Sequence, residues 1–258
     1  MSLSFSIAQE NEKTNHIPLE RSFYERNTQV VAFELIGKIL VLKENGMTLS
    51  GKIVETEAYF GTQDPASHAY RGVTPRNQVM FGAPGISYVY FTYGSHHCLN
   101  VVTEKEDVAG AVLIRSLEPI DGVAIMRKRR GNVNEEQLTN GPGKLTQAFG
   151  ITREHSGIDL TSGSFCPPAQ KIHGLSMDEC TMSSASARCR PGRDAQDGPR
   201  RSPKGGGGFQ GLVGLYITEG HEDDFLSIKA AKRIGISQAK DELFRFYLTT
   251  SAFVSVRC

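Results

Sequence analysis

Val54-Glu55-Thr56-Glu57-Ala58-Tyr59-Phe60-Gly61 is the stretch whose reading decides the fold. The run has strand character, and successive strand side chains point to opposite faces. Glu55, Glu57 and Tyr59 therefore share one face, and Val54, Thr56 and Ala58 take the other. An apolar face turned to a core, with carboxylates and an aromatic turned to a cleft, suits a hydrolytic site for a planar substrate. The alternative is a solvated edge strand with two surface glutamates. Alternation leaves both open and does not choose between Glu55 and Glu57.

Working outward, residues 38–42 and 52–60 predict two strands joined by a turn at Asn45-Gly46. Upstream, Asn27 is expected to cap a helix over residues 28–36 that Gly37 closes. Val30, Val31, Phe33, Leu35 and Ile36 form its apolar side. Residues 61–85 read as a loop rich in Pro, Gly, Asp, Asn and Arg, long enough to suggest a functional role. Strands over residues 87–92, 98–103 and 111–116, with a tight turn at Tyr93-Gly94-Ser95-His96, predict an antiparallel meander. Asp121 is expected to cap a helix reaching Arg130, whose basic run from Arg127 suits the negative helix end. Gly141-Pro142-Gly143-Lys144-Leu145 opens a short helix to about Phe149, with Pro142 in its first turn. Residues 212–218, 244–248 and 253–256 are further expected strands.

The chain has 258 residues, enough to bury a sizeable core without staples. It carries 29 Lys+Arg against 28 Asp+Glu, so any nucleic-acid surface must come from local clustering. No run of about 18 apolar residues predicts a membrane span. Five cysteines without a Cys-x-x-Cys pair argue against a disulfide framework and a structural zinc site, which fits a reducing cytoplasm. His96-His97-Cys98 crowds its donors along a strand, so no metal is expected there either. Residues 1–20 read as a flexible tail. Residues 163–211 break the pattern: basic Arg188, Arg190, Arg193, Arg200, Arg201 and Lys204 precede a run of four glycines, and no large apolar residue stands between Ser183 and Lys204. Such a segment cannot fold alone and is expected to be a disordered insert. The fold class expected is α+β: a single mixed domain over residues 21–258 with an antiparallel sheet core and packed helices.

Several segments occur in an order that resembles the alkyladenine (3-methyladenine) DNA glycosylase family. They are Val54–Tyr59, His68, Thr74-Pro75-Arg76-Asn77, Met80-Phe81, Tyr88-Val89-Tyr90, Tyr93-Gly94, Cys98-Leu99-Asn100, Arg115-Ser116-Leu117-Glu118-Pro119 and Gly141–Leu145. The likeness is close over residues 18–162 and looser over 212–256. It implies a sheet resembling the barrel type of a formyltransferase C-terminal domain. It also implies an enzyme that flips a damaged purine out of duplex DNA and hydrolyses its N-glycosidic bond, leaving an abasic site.

By that resemblance Glu57 is the general base, and Arg115 orients it and the attacking water. Tyr59 and His68 line one side of the base pocket and Tyr90 the other, and Asn100 crowds the exocyclic amine of normal guanine. Tyr93, at a hairpin tip, is the wedge that fills the gap in the duplex. Ser95 and His96 depart from the larger apolar residues common in the family, which narrows that wedge. Lys144, heading a helix, and Arg76 are candidates for DNA backbone contacts, as are Lys128, Arg129 and Arg130. No lysine stands where a Schiff-base nucleophile is implied, so no strand cleavage is expected. The substrates implied are 3-methyladenine, 7-methylguanine and hypoxanthine; the last needs leaving-group protonation, for which no acid stands out. No metal or organic cofactor is expected, the partner is damaged double-stranded DNA, and the expected state is a monomer. The expected location is nucleoid-associated cytoplasm in a bacterium or the nucleus in a eukaryote.

Two other readings compete. Glu55 and Glu57, about 6.6 Å apart by strand rise, are a carboxylate pair of the kind that hydrolyses sugars. The abnormal residues 163–211 suggest instead a family member that binds damaged DNA but is catalytically impaired.

Overall fold

Asn45 and Gly46 both take left-handed backbone angles (φ 50° and 74°), as the two-residue turn between right-twisted strands requires. They join β1 (Ile39–Glu44) to β2 (Met47–Phe60) in an antiparallel hairpin. The computed structural model describes residues 17–92, 94–162, 164–165, 214–220 and 227–256.

β2 is the long central strand, with β5 (Gly110–Pro119) on one side. Its other side is shared: β1 pairs residues 47–52, and β10 (Arg245–Leu248) pairs Glu55–Glu57. Beyond β5 lie β4 (His96–Val102) and β3 (Ser87–Thr92), completing the expected meander. Beyond β1 lies β8 (Gly214–Thr218), and β9 (Ile228–Ala231) flanks β10. Every pairing is antiparallel, and because β2 holds two different partners on one side the sheet curls into a half-barrel. The fold is mixed α+β, as the sequence implies.

The register of β2 against β5 shifts twice around Glu55. Val54 has no partner on β5, and Arg115 has none on β2. Each is the extra residue of a β-bulge, a device that bends a strand and re-aims its side chains. The first bulge lets both Ile53 and Val54 enter the main core. The second turns Arg115 towards the face that carries Glu55 and Glu57.

On the opposite face α2 (Thr28–Glu34) covers β2. Asn27 caps it, accepting from the amides of Gln29 (3.0 Å) and Val30 (3.4 Å), a device worth about 1 kcal/mol. The Thr56 hydroxyl donates to the Ala32 carbonyl at 2.7 Å, fastening the helix to the strand. Val31, Ala32, Leu35 and Ile36 are buried there, whereas Val30 and Phe33 are exposed, so the apolar stripe is narrower than its sequence suggests. α4 (Pro142–Phe149) packs on β4 and β5, burying Leu145 and Phe149, and α3 (Val123–Arg130) lies beside it. A buried side chain of that size contributes roughly 1.5–3 kcal/mol.

Several expectations are corrected. Gly122 (φ 75°), not Asp121, precedes α3, and Asp121 instead accepts the Ser50 hydroxyl. The run Arg127–Arg130 is partly consumed internally: Arg129 donates to the Ala148 and Phe149 carbonyls at the end of α4, and Arg130 to the Leu138 carbonyl. The loop over 61–85 contains a 3-10 turn, Gln78–Phe81. Residues 253–256 are turn and irregular backbone rather than a strand. Residues 17–20 are held: Leu19 is buried and its amide bonds the Ile217 carbonyl. α1 (Arg21–Tyr24) follows directly. β7 (Ser164–Phe165), at the start of the expected insert, pairs with β6 (Ile158–Asp159) just before it, and residues 166–211 of that insert lie outside the described residues, as do residues 1–16.

Candidate active site

Glu55, Glu57 and Tyr59 do share a face of β2, but neither glutamate is solvated: both side chains are 0% exposed. Two carboxylates taken so far from water must find donors there. Glu55 finds five, from Arg115 Nε (3.1 Å), Ser116 Oγ (2.9 Å), Arg245 Nη1 (2.9 Å), and both the amide (2.8 Å) and hydroxyl (2.9 Å) of Ser255. Burial pushes its acidity down, yet Arg115 and the Ser255 and Ser116 donors outweigh burial, so its pKa lies below the usual range. Glu55 is a fixed anion whose bonding capacity is filled.

Glu57 is held differently. Its Oε1 accepts the Ile234 amide at 2.7 Å and faces Arg115 Nη1 at 3.2 Å, and among the described residues its Oε2 accepts only the Tyr59 hydroxyl, at 2.7 Å. Burial raises its pKa, and Arg115, the Ile234 amide and the Tyr59 hydroxyl do not fully offset that. Neighbouring Glu55 raises it further. Arg115, buried between both carboxylates, holds its proton more tightly than usual because they outweigh its own desolvation. One arginine thus bridges a saturated carboxylate and one that keeps acceptor capacity on Oε2, an arrangement suited to proton transfer.

Tyr59, Ile234 and Arg115, three of the groups around Glu57, line a cavity of about 380 Å³. His68, Tyr88 and Tyr90 form its aromatic side, with the His68 ring 4.5 Å from that of Tyr90 at 70°. His68 Nδ1 lies 3.1 Å from the Tyr88 hydroxyl. Desolvation and the Arg76 cation lower the His68 pKa, so the ring is neutral at pH 7. Asn100 lines the same cavity, and its Nδ2 donates to the Tyr88 carbonyl at 3.0 Å. Asn100 therefore both bonds the strand backbone and lines the cavity.

Arg115, Tyr59, His68, Tyr90 and Asn100 thus line one cavity, and Glu57 lies behind three of its lining groups, Tyr59, Ile234 and Arg115. Arg76 is exposed beside the cavity, its guanidinium 5.7 Å from the Tyr90 ring centroid. Lys144 sits in the first turn of α4 and donates to Asn140 Oδ1 at 2.7 Å, next to cavity-lining Pro142. Tyr93 lies outside the described residues. Sequence reasoning missed the Ile234 amide, Arg245 and Ser255. Backbone donors leave no side-chain signature, and the other two stand 190 and 200 residues from Glu55.

Residues 22–181 match the family model described as methylpurine-DNA glycosylase. The chain belongs to this family. Among its relatives, a protein of Carboxydothermus hydrogenoformans is 41% identical over 237 residues, covering 92% of this chain and 98% of its own length. One from Clostridium perfringens strain SM101 is 39% identical over 251 residues, with coverage of 92% and 98%. One from Rhodopseudomonas palustris is 53% identical over 156 residues, covering 60% and 73%. All three bear the name "Putative 3-methyladenine DNA glycosylase".

Proposed function

We propose that this protein is a base-excision glycosylase that takes an alkylated or deaminated purine out of duplex DNA and hydrolyses its N-glycosidic bond. The observation that carries this is Glu57: a buried carboxylate of raised pKa, oriented by three donors that themselves line a cavity large enough for a planar base. A water held at Oε2 attacks the anomeric carbon. Its oxygen bonds to that carbon, the carbon–nitrogen bond breaks, the purine leaves with the electron pair, and Glu57 takes the water proton. The carboxylate also favours the positive charge that develops on the sugar.

Flipping a base costs a few kcal/mol. Stacking against Tyr59, His68 and Tyr90 offsets it at roughly 1–3 kcal/mol per face. Electron-rich rings favour cationic bases such as 3-methyladenine and 7-methylguanine, and hypoxanthine is the neutral substrate. Asn100 excludes normal guanine, and Tyr93, within the β3–β4 connection, fills the gap in the helix. Arg76 and Lys144 contact DNA close to the pocket. No lysine is among the residues lining the cavity, which supports base release without strand cleavage. The enzyme works as a monomer without a cofactor.

The impaired-binder reading is opposed by the segments beyond residue 213, which supply Ile234, Arg245 and Ser255 to the site. Single-turnover release of 3-methyladenine from a defined duplex tests the proposal. Glu57→Gln should keep lesion binding and slow release by roughly 10²–10⁴-fold, the range for a lost general base. Product strands should stay intact until treated with alkali. Equal release by both proteins would overturn the assignment.

A further inference from the structure

Behind the Tyr59 ring lies a buried ion pair that takes no part in the chemistry above. Arg233 and Asp64 are 0% and 3% exposed and meet through two bonds, Nη1 to Oδ2 at 2.5 Å and Nη2 to Oδ1 at 2.8 Å. Arg233 Nη1 also donates to the Ala58 carbonyl at 2.9 Å, while its Nε is buried with no partner among the described residues. The guanidinium carbon stands 4.7 Å from the Tyr59 ring centroid and 5.3 Å from that of Phe244. Tyr59 lines the cavity and Arg233 does not, so the ring separates the cation from whatever occupies the cavity.

A buried ion pair is a poor source of stability, because desolvating both charges offsets their attraction. Its placement matters more here. A cation against the rear of an aromatic ring draws on the same quadrupole that attracts a cation to the front. Unopposed, Arg233 would weaken Tyr59 as a platform for a positively charged base. Asp64, gripping the guanidinium with both oxygens, cancels that field.

We propose that the Asp64–Arg233 pair sets the balance between positively charged and neutral purines in the cavity, by keeping the rear of Tyr59 electrically neutral. The proposal rests on the glycosylase reading and deepens it. Asp64 also accepts the amides of Phe60 (3.2 Å) and Ala66 (3.0 Å), so it holds the loop carrying Pro65 and Ala66 to the cavity wall. A purely structural role for the pair follows from those bonds alone, and the test must separate the two.

The experiment compares single-turnover rate constants for 7-methylguanine and hypoxanthine in one duplex context, at saturating protein. Their ratio does not depend on how much protein is folded. A base stacked roughly 3.5 Å in front of Tyr59 lies about 8 Å from the guanidinium. At an effective dielectric constant near 20, exposing that charge should lower the ratio roughly thirtyfold. Asp64→Asn is therefore expected to shift the ratio towards hypoxanthine by about thirtyfold. Asp64→Asn combined with Arg233→Gln, which keeps hydrogen bonds without charge, should return it to the parent value. The same ratio, read as relative affinity for the two duplexes in a Glu57→Gln background, gives an answer even where release of one base is slow. Equal slowing of both bases by Asp64→Asn, or a shift that persists in the double variant, would overturn the proposal and leave Asp64 as a loop anchor. Failure of the parent protein to release either base would instead sink the glycosylase reading.

Discussion

Two glutamates one turn of the pleat apart carry opposite acid–base tuning, and stability should register it. The folded-state pKa of Glu55 is lowered, so its contribution is present above the unfolded value and is lost as pH falls through the folded one. The pKa of Glu57 is raised, so its contribution is present below the unfolded value and is lost as pH rises through the folded one. At pH 7.5, Glu55→Gln should lose about 3–5 kcal/mol, since it strands Arg115 and Arg245 beside an uncharged partner. Glu57→Gln should lose no more than about 1 kcal/mol. Urea unfolding of both variants checks the contrast, and equal losses would refute it. Base release should fall on the acid side at a pH above the ordinary carboxylate value of 4.5, as Glu57 takes up a proton. Alternation along β2 made the shared face legible, but not which glutamate has its bonding capacity filled. That depends on donors from Ile234 and Ser255, which no local pattern reveals.

Elements were legible where the signal was local. The Asn27 cap, the Asn45-Gly46 turn and Pro142 at the start of α4 each act within a few residues, and the structure places all three as expected. The bulges at Val54 and Arg115 escaped notice because they are properties of two paired strands and not of either one. Gly122 went unrecognised as the start of α3 because its reason lies elsewhere in the chain. A Cβ there would stand 2.3 Å from Leu49 Cδ2 and 2.8 Å from the Thr48 carbonyl oxygen. At Gly46, with a similar φ of 74°, a Cβ would meet nothing within 4 Å. Gly46→Ala should therefore cost only the backbone penalty, about 1 kcal/mol. Gly122→Ala should lose clearly more, about 3 kcal/mol or beyond, because overpacking adds to the same penalty. Thermal unfolding of the two variants side by side decides this, and similar melting temperatures would contradict the packing argument.

At the scale of the molecule, every described site residue lies outside residues 166–213, and β7 lies against β8 across that interval. Replacing residues 168–210 by a short Gly/Ser linker should leave single-turnover base release within about threefold of the parent, since flexible segments close loops at little cost. A loss beyond tenfold would show that the interval serves the site. The composition break there was visible in the sequence; the way the chain resumes the same sheet after it was not, because strand order is set by distant partners. The clamp on Glu55 has a consequence for how the protein is made. Ser255 closes a contact spanning 200 positions, and Arg245 one spanning 190. Contacts of such high order form late and slowly. A nascent chain still short of residue 255 therefore holds Glu55 without two of its five donors, and the full clamp forms only once residue 255 has left the ribosome.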